Sequence, residues 1–102
     1  MKFLVTTEDG PILPPGKDSR EVIKKVALPA FDQLIALESA GKIVGGLPVG
    51  GRAFAFIMEA ESSDEVDRVL HGLTNWGVMD WQVTPLQSFV ARAELERAAV
   101  KK

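Results

Sequence analysis

Six consecutive apolar residues, Ala53-Phe54-Ala55-Phe56-Ile57-Met58, constrain most strongly how this chain can fold. The run lies between Gly50-Gly51 and Glu59, and its length and aromatic content suit a β-strand. Successive strand side chains point to opposite faces, so a strand with one wet face alternates apolar and polar residues. This strand has no polar face before Glu59. Both the Phe54/Phe56/Met58 set and the Ala53/Ala55/Ile57 set need cover.

The rest of the chain supplies cover for one face. Lys2 to Thr7 reads as a first strand, ended by Glu8-Asp9-Gly10. The proline-rich stretch Pro11 to Gly16 cannot continue a ladder and reads as an extended, exposed loop. Asp18-Ser19 can cap a helix whose apolar residues recur at Val22, Ile23, Val26, Ala30, Phe31, Leu34 and Leu37, with Gly41 as its stop. Pro29 inside that pattern predicts a kink or two abutting helices, since the carbonyl of Lys25 loses its partner.

Lys42 to Val49 reads as a second strand, and its Gly45-Gly46 and Pro48 suit an edge or a bulge. Gly50-Gly51 is a hairpin signal. After the apolar strand, Ser62 and Glu65 have the S-x-x-E spacing of a capping box, followed by a stripe of Val66, Val69, Leu70 and Leu73. Asn75-Trp76-Gly77 turns the chain. Met79 to Thr84 alternates as a fourth strand, and an amphipathic segment runs from Gln87 to the end. The order is β-α-β-β-α-β plus a C-terminal helix. It predicts one α+β domain over residues 1–102, a ferredoxin-like βαββαβ sandwich with both helices on one face of an antiparallel sheet.

Two helices cover one sheet face only. The other face needs a lid, because apolar patches of that kind mark interfaces. A second copy related by a two-fold axis supplies it most economically, pairing two sheets into a dimeric α+β barrel. The other solution is a monomer capped by its own C-terminal helix.

Bulk properties narrow the function. At 102 residues, 46% hydrophobic and 25% charged, the chain is of ordinary globular composition. It has no apolar run near the roughly 20 residues a bilayer needs, and Met1 to Thr6 is too short for a signal peptide. A net charge of −2 argues against nucleic acid as the main partner. The absence of cysteine excludes disulfides, thiolate metal sites and cysteine nucleophiles. The expectation is a cytoplasmic protein with no membrane partner.

The stretch from Gly50 to Phe89, GGRAFAFIMEAESSDEVDRVLHGLTNWGVMDWQVTPLQSF, resembles the muconolactone isomerase-like group of the dimeric α+β-barrel superfamily. The matching features are the Gly-Gly hairpin, the strand leading to a serine-capped helix with Glu65-Val66, the helix end at Leu73, and the fourth strand running into Val83-Thr84-Pro85-Leu86. Thr74 stands where such isomerases commonly have proline. The first half matches in the order of its elements. The resemblance implies a homodimer, or an assembly of dimers, with a small organic ligand in a cavity. It also implies a proton shift on a small unsaturated lactone or acid, without metal or cofactor.

The residues leave few catalytic options. His71, the single histidine, is rotated off the Val66/Val69 stripe and reads as a surface residue. The glycines from Gly45 to Gly51 lack the order of a phosphate loop and enter a strand, so they read as turn geometry. No cluster has metal-ligand spacing. Asp80, Gln82 and Thr84 share one face of the fourth strand, and Thr6 joins them if the sheet has its usual order. Asp80, beside Met79 and Trp81, is the expected general base, with Glu59 beside Ile57-Met58 as the second candidate. Arg52 is expected to hold a substrate carboxylate bidentately, Gln82 to orient the ligand, and Trp81 and Met58 to line the site. The competing reading makes both acids solvated strand-end charges in a non-catalytic ligand-binding or assembly module.

Overall fold

The computed structural model describes residues 1–10 and 16–101; Pro11 to Pro15, most of the expected extended loop, and Lys102 lie outside the described residues. Strand β1 (Lys2–Thr7) leads to α1 (Lys17–Val22), a π-helical turn (Ile23–Ala27) and α2 (Leu28–Ser39). Strands β2 (Ile43–Gly46) and β3 (Ala55–Glu59) follow, then α3 (Ser63–His71), a 3-10 turn (Trp76–Val78), β4 (Trp81–Leu86) and α4 (Phe89–Val100). The sheet order is β2-β3-β1-β4, and every pairing is antiparallel. This is the ferredoxin-like α+β fold.

Helix α1 begins two to three residues earlier than the Asp18-Ser19 cap predicts. Gly16 takes the cap position without a side-chain hydrogen bond, and Asp18 lies in the first turn, where its charge favours the positive end of the helix. At Pro29 the helical run divides into abutting segments, as expected, with Pro29 in the first turn of α2. The backbone stays helical on both sides, and the irregularity is the π-turn immediately before the proline, where the N–H of Leu28 donates to Ile23 O. An i→i+5 bond there accommodates a position at which proline offers no N–H. Gly41, at φ 76°, ends α2 in the left-handed conformation, and Gly41 and Lys42 donate to the Glu38 and Leu37 carbonyls.

Strands β2 and β3 do form a hairpin, but β2 is shorter than expected, and residues 47–54 separate the strands. Within that loop the N–H of Gly51 donates to Pro48 O at 2.9 Å, with Gly50 at φ 79° as the third turn residue. The Ser62 cap forms as expected: its hydroxyl accepts from Glu65 N at 3.2 Å. The Glu65 carboxylate accepts from Glu61 N at 2.6 Å and from Lys42 Nζ at 2.7 Å, tying α3 to the start of β2.

The strand register assigns the two faces of the sheet. Val5 lies opposite Phe56 and Val83, and Phe3 opposite Met58 and Pro85. Phe3, Val5, Phe56 and Met58 are buried under the helices with Val66, Leu70 and Leu34. Each fully buried side chain of this size contributes about 1.5–3 kcal/mol. On the other face one row crosses all four strands: Thr84, Leu4, Ile57 and Val44. Leu4 and Val44 are exposed there and Ile57 is half-buried.

Helix α4 does not cover that row. None of its residues is buried, and Phe89 is 95% exposed. The chain extends 64 Å along its long axis, with a radius of gyration of 17.1 Å. A compact chain of this length has about 13 Å. The monomer capped by its own C-terminal helix is therefore not the arrangement found, because α4 projects away from the body.

Candidate functional site

A half-enclosed hollow of about 190 Å³ lies between the first helical run and one end of the sheet. Its walls include Val22, Val26, Phe31, Phe54, Val78 and Met79, and its polar groups are Arg52 and Asn75. An apolar hollow with a few convergent polar groups is the usual form of a small-molecule site. A second apolar hollow between α2 and β2, also of about 190 Å³, shares Phe31, Leu47 and Phe54 with it but brings only Glu38 as a charged group.

Local structure places Arg52. Its backbone N–H donates to Asp9 Oδ1 at 3.3 Å and its Nε donates to Gly10 O at 3.0 Å, so the Glu8-Asp9-Gly10 break after β1 serves as its seat. Its outer guanidinium nitrogens have no partner among the described residues. Phe54 extends β3 toward the cavity: its N–H donates to Thr7 Oγ1 at 2.8 Å, and Thr7 N donates back to Phe54 O at 3.0 Å.

Asn75 is positioned by its neighbours. Gln33 on α2 donates from Nε2 to Gly72 O at 2.7 Å and accepts from Thr74 N at 3.0 Å. Thr74 Oγ1 donates to Val26 O, in the π-turn, at 2.7 Å. These three bonds fasten the 72–74 segment to the helix and present Asn75 to the cavity. Asn75 is 4% exposed, and its Oδ1 is sealed from solvent without a hydrogen bond.

Of the sequence candidates, Arg52 alone lines this cavity. Asp80 and Trp81 line a shallower neighbouring hollow of about 300 Å³ with Asp67, Trp76, Gly77 and Met79, and Met79 belongs to both spaces. Asp80 precedes β4 rather than lying in it, and is exposed. Trp81 packs its ring 6.0 Å from Phe54 and 6.4 Å from Phe56 and donates from Nε1 to Trp76 O. Gln82 lies opposite Thr6, as expected for the shared polar row, on the sheet face away from the helices. Met58 is fully buried in the core.

Glu59 accepts from the N-terminal ammonium at 3.1 Å and is exposed. It pairs with Lys2, whereas β4 begins opposite Thr7, so the two acids sit at opposite ends of β1. Five residues at about 3.4 Å each put roughly 17 Å between them along the strand. They do not share a site. His71 is on the surface, stacked on Trp76 at 3.9 Å, with Nδ1 2.8 Å from the Asp67 carbonyl oxygen. Among the described residues no group of three or more His, Cys, Asp or Glu could hold a metal, and no helix is long and apolar enough to cross a membrane.

Sequence reasoning read Asn75 only as part of a turn. Asparagine is common in turns, and nothing local distinguishes a solvated turn asparagine from one buried against a helix.

Comparison with solved structures finds similar chains, among them the following. The 5-chloro-2-hydroxyhydroquinone dehydrochlorinase TftG from Burkholderia phenoliruptrix AC1100, solved in complex with 2,5-dihydroxybenzoquinone, superposes with a TM-score of 0.57. The two sequences are 27% identical, and the match covers 85% of this chain and 94% of that chain. No family model matches the chain, and comparison with curated proteins finds no match. The structural likeness extends the ferredoxin-like α+β architecture to a chain that processes a small molecule.

Proposed function

We propose that this protein binds a small, single-ring organic acid in the cavity between the first helical run and the sheet, and that it does so as a homodimer. The observation that carries the reading is the apolar cavity of about 190 Å³ with the Arg52 guanidinium at its edge. An apolar cavity of about 150 Å³ accepts benzene, so this volume suits one substituted six-membered ring or a lactone of similar size. With Nε on Gly10 O, the two outer nitrogens of Arg52 form the fork that pairs bidentately with a carboxylate. TftG, whose named compounds are single oxygenated rings without a carboxylate, supports the ring size, and the acid rests on Arg52 alone.

The homodimer follows from two uncovered apolar surfaces. The Leu4/Ile57/Val44 row faces away from the helices, and α4 carries exposed Phe89, Val90 and Leu95. An isolated helix of 12 residues is marginal in water and gains its stability by docking. A second copy supplies a surface for both.

The reaction is a cofactor-independent proton shift of the kind muconolactone isomerases perform. A carboxylate removes a proton from one carbon of the bound acid and returns it to another, and the ring isomerises with no net gain or loss of atoms. Asp80, next to the shared wall residue Met79, is the base, and Gln82 lies on the face a partner subunit would cover. The solvent exposure of Asp80 favours a second reading, binding without turnover.

Benzoate titration and deuterium incorporation into an unsaturated γ-lactone acid separate the two readings. Arg52→Met should weaken benzoate binding by about tenfold or more, the worth of a charge-assisted pair. Asp80→Asn should bind normally and lose exchange. Unchanged exchange in Asp80→Asn and in Glu59→Gln overturns catalysis and leaves a binding protein; no benzoate binding to the unaltered protein overturns the site.

A further inference from the structure

Two half-enclosed apolar hollows lie along the first helical run, and the ring-acid site occupies only one of them. Val22, Val26, Ala27 and Phe31 border the first, and Phe31, Leu34, Ile35 and Glu38 border the second. The hollows therefore follow each other along the helix axis, and two turns from Phe31 to Glu38 carry the second about 10 Å further. Across from α2, Gly45 and Gly46 line the second hollow with backbone alone, which leaves its space of about 190 Å³ unfilled. Phe31, Leu47 and Phe54 line both hollows and divide them. Phe31 and Phe54 are in ring contact at 5.6 Å, and Phe54 is pinned by its bonds to Thr7. Leu47 is half-buried in the loop between β2 and β3, so it is the divider with room to turn.

We infer that the second hollow is a subsite for an alkyl substituent on the ligand ring. The ligand is then a monocarboxylic ring acid with a hydrocarbon side chain. Its carboxylate meets Arg52, its ring fills the first hollow, and its side chain passes Leu47 into the second. The inference rests on the ring-acid reading of the first hollow. Charge sets the direction, because Arg52 lines the first hollow and Glu38 the second, which has no cation among its lining residues. A carboxylate on the side chain would approach Glu38 as a like charge in a partly dry space, so a diacid is disfavoured. A hydrocarbon meets only Leu34, Ile35, Ile43, Phe56 and glycine backbone there, and each methylene that leaves water adds affinity. An apolar space of about 150 Å³ accepts benzene, so a side chain of about six carbons fills the subsite.

The test uses the full-length protein and calorimetric titration with benzoate and with 3- and 4-alkylbenzoates from ethyl to octyl. In one of the two series affinity should rise about two- to fourfold per carbon and level off near six carbons. Ile35 borders the second hollow but not the first and is 58% exposed, so Ile35→Glu changes the subsite without touching the core. That variant should lose the gain from the side chain and bind benzoate as the unaltered protein does. A carboxylate at the end of a butyl side chain should cancel the gain, and Glu38→Gln should restore part of it. Benzoate binding with a flat alkyl series, a rise that continues through octyl, or a gain that survives Ile35→Glu each overturns the subsite and leaves the first hollow standing. No binding by any probe overturns both.

Discussion

Glu65 illustrates how one side chain joins two elements. Its carboxylate accepts from Lys42 Nζ at 2.7 Å and from Glu61 N, and these bonds, the lysine first, hold its pKa below the ordinary 4.5. A depressed folded pKa means that the unfolded chain binds the proton more readily. The stabilisation is therefore complete above about pH 4.5 and is lost as the pH falls from there through the lower folded value. Urea unfolding of the wild type and Glu65→Gln from pH 7 to pH 3 should show a stability gap that is constant at neutral pH and closes in that acid window. A gap that persists undiminished at pH 3 would assign the effect to packing instead. Arg52 and Asn75 belong to the same scale: one was legible as a cation at a strand start, and the other was hidden because burial is not a property of a residue type.

At the scale of elements, the sequence pattern worked best for α3, whose cap and apolar stripe are set within a few residues, whereas the Asp18-Ser19 cap did not form. The S-x-x-E spacing produced a real cap, and the Val66/Leu70 stripe is buried. The pattern missed the end of β2, and at Pro29 the expected discontinuity takes the form of a π-turn between α1 and α2. Gly45 shows what pairing demands. A Cβ at this position would collide with the Ala55 carbonyl oxygen and with Phe56 across the β2–β3 ladder. Those atoms belong mainly to the backbone of the neighbouring strand and cannot swing aside. Gly45→Ala should cost about 1–3 kcal/mol, the usual range for overpacking, read as a lowered denaturant midpoint at unchanged slope. The neighbouring Gly46 meets nothing within 4 Å, so Gly46→Ala, with a smaller effect, is the control.

For the whole molecule, the uncovered sheet face is where the proposed homodimer is tested. The register puts Ile57, not Phe56, on that face, between Leu4 and Val44. Ile57→Glu should therefore shift the protein toward monomer in light scattering while circular dichroism keeps its α+β spectrum. Phe56→Glu places a charge in the core and should unfold the chain. A wild-type protein that is monomeric at micromolar concentration would exclude the homodimer.

The sequence by itself determined the order of the elements, the fold class, the capping of α3 and the need for a lid on the doubly apolar strand. Each of these rests on periodicity or spacing within a short window, where side-chain direction follows directly from backbone geometry. Only the tertiary structure decided which face of β3 meets the helices, that Asp80 and Glu59 lie at opposite ends of β1, and that Asn75 is buried beside Arg52 in one cavity. Those facts depend on register and on contacts between segments distant in the chain. A shift of one residue in pairing would turn every strand side chain to the other face without changing a letter of the local pattern.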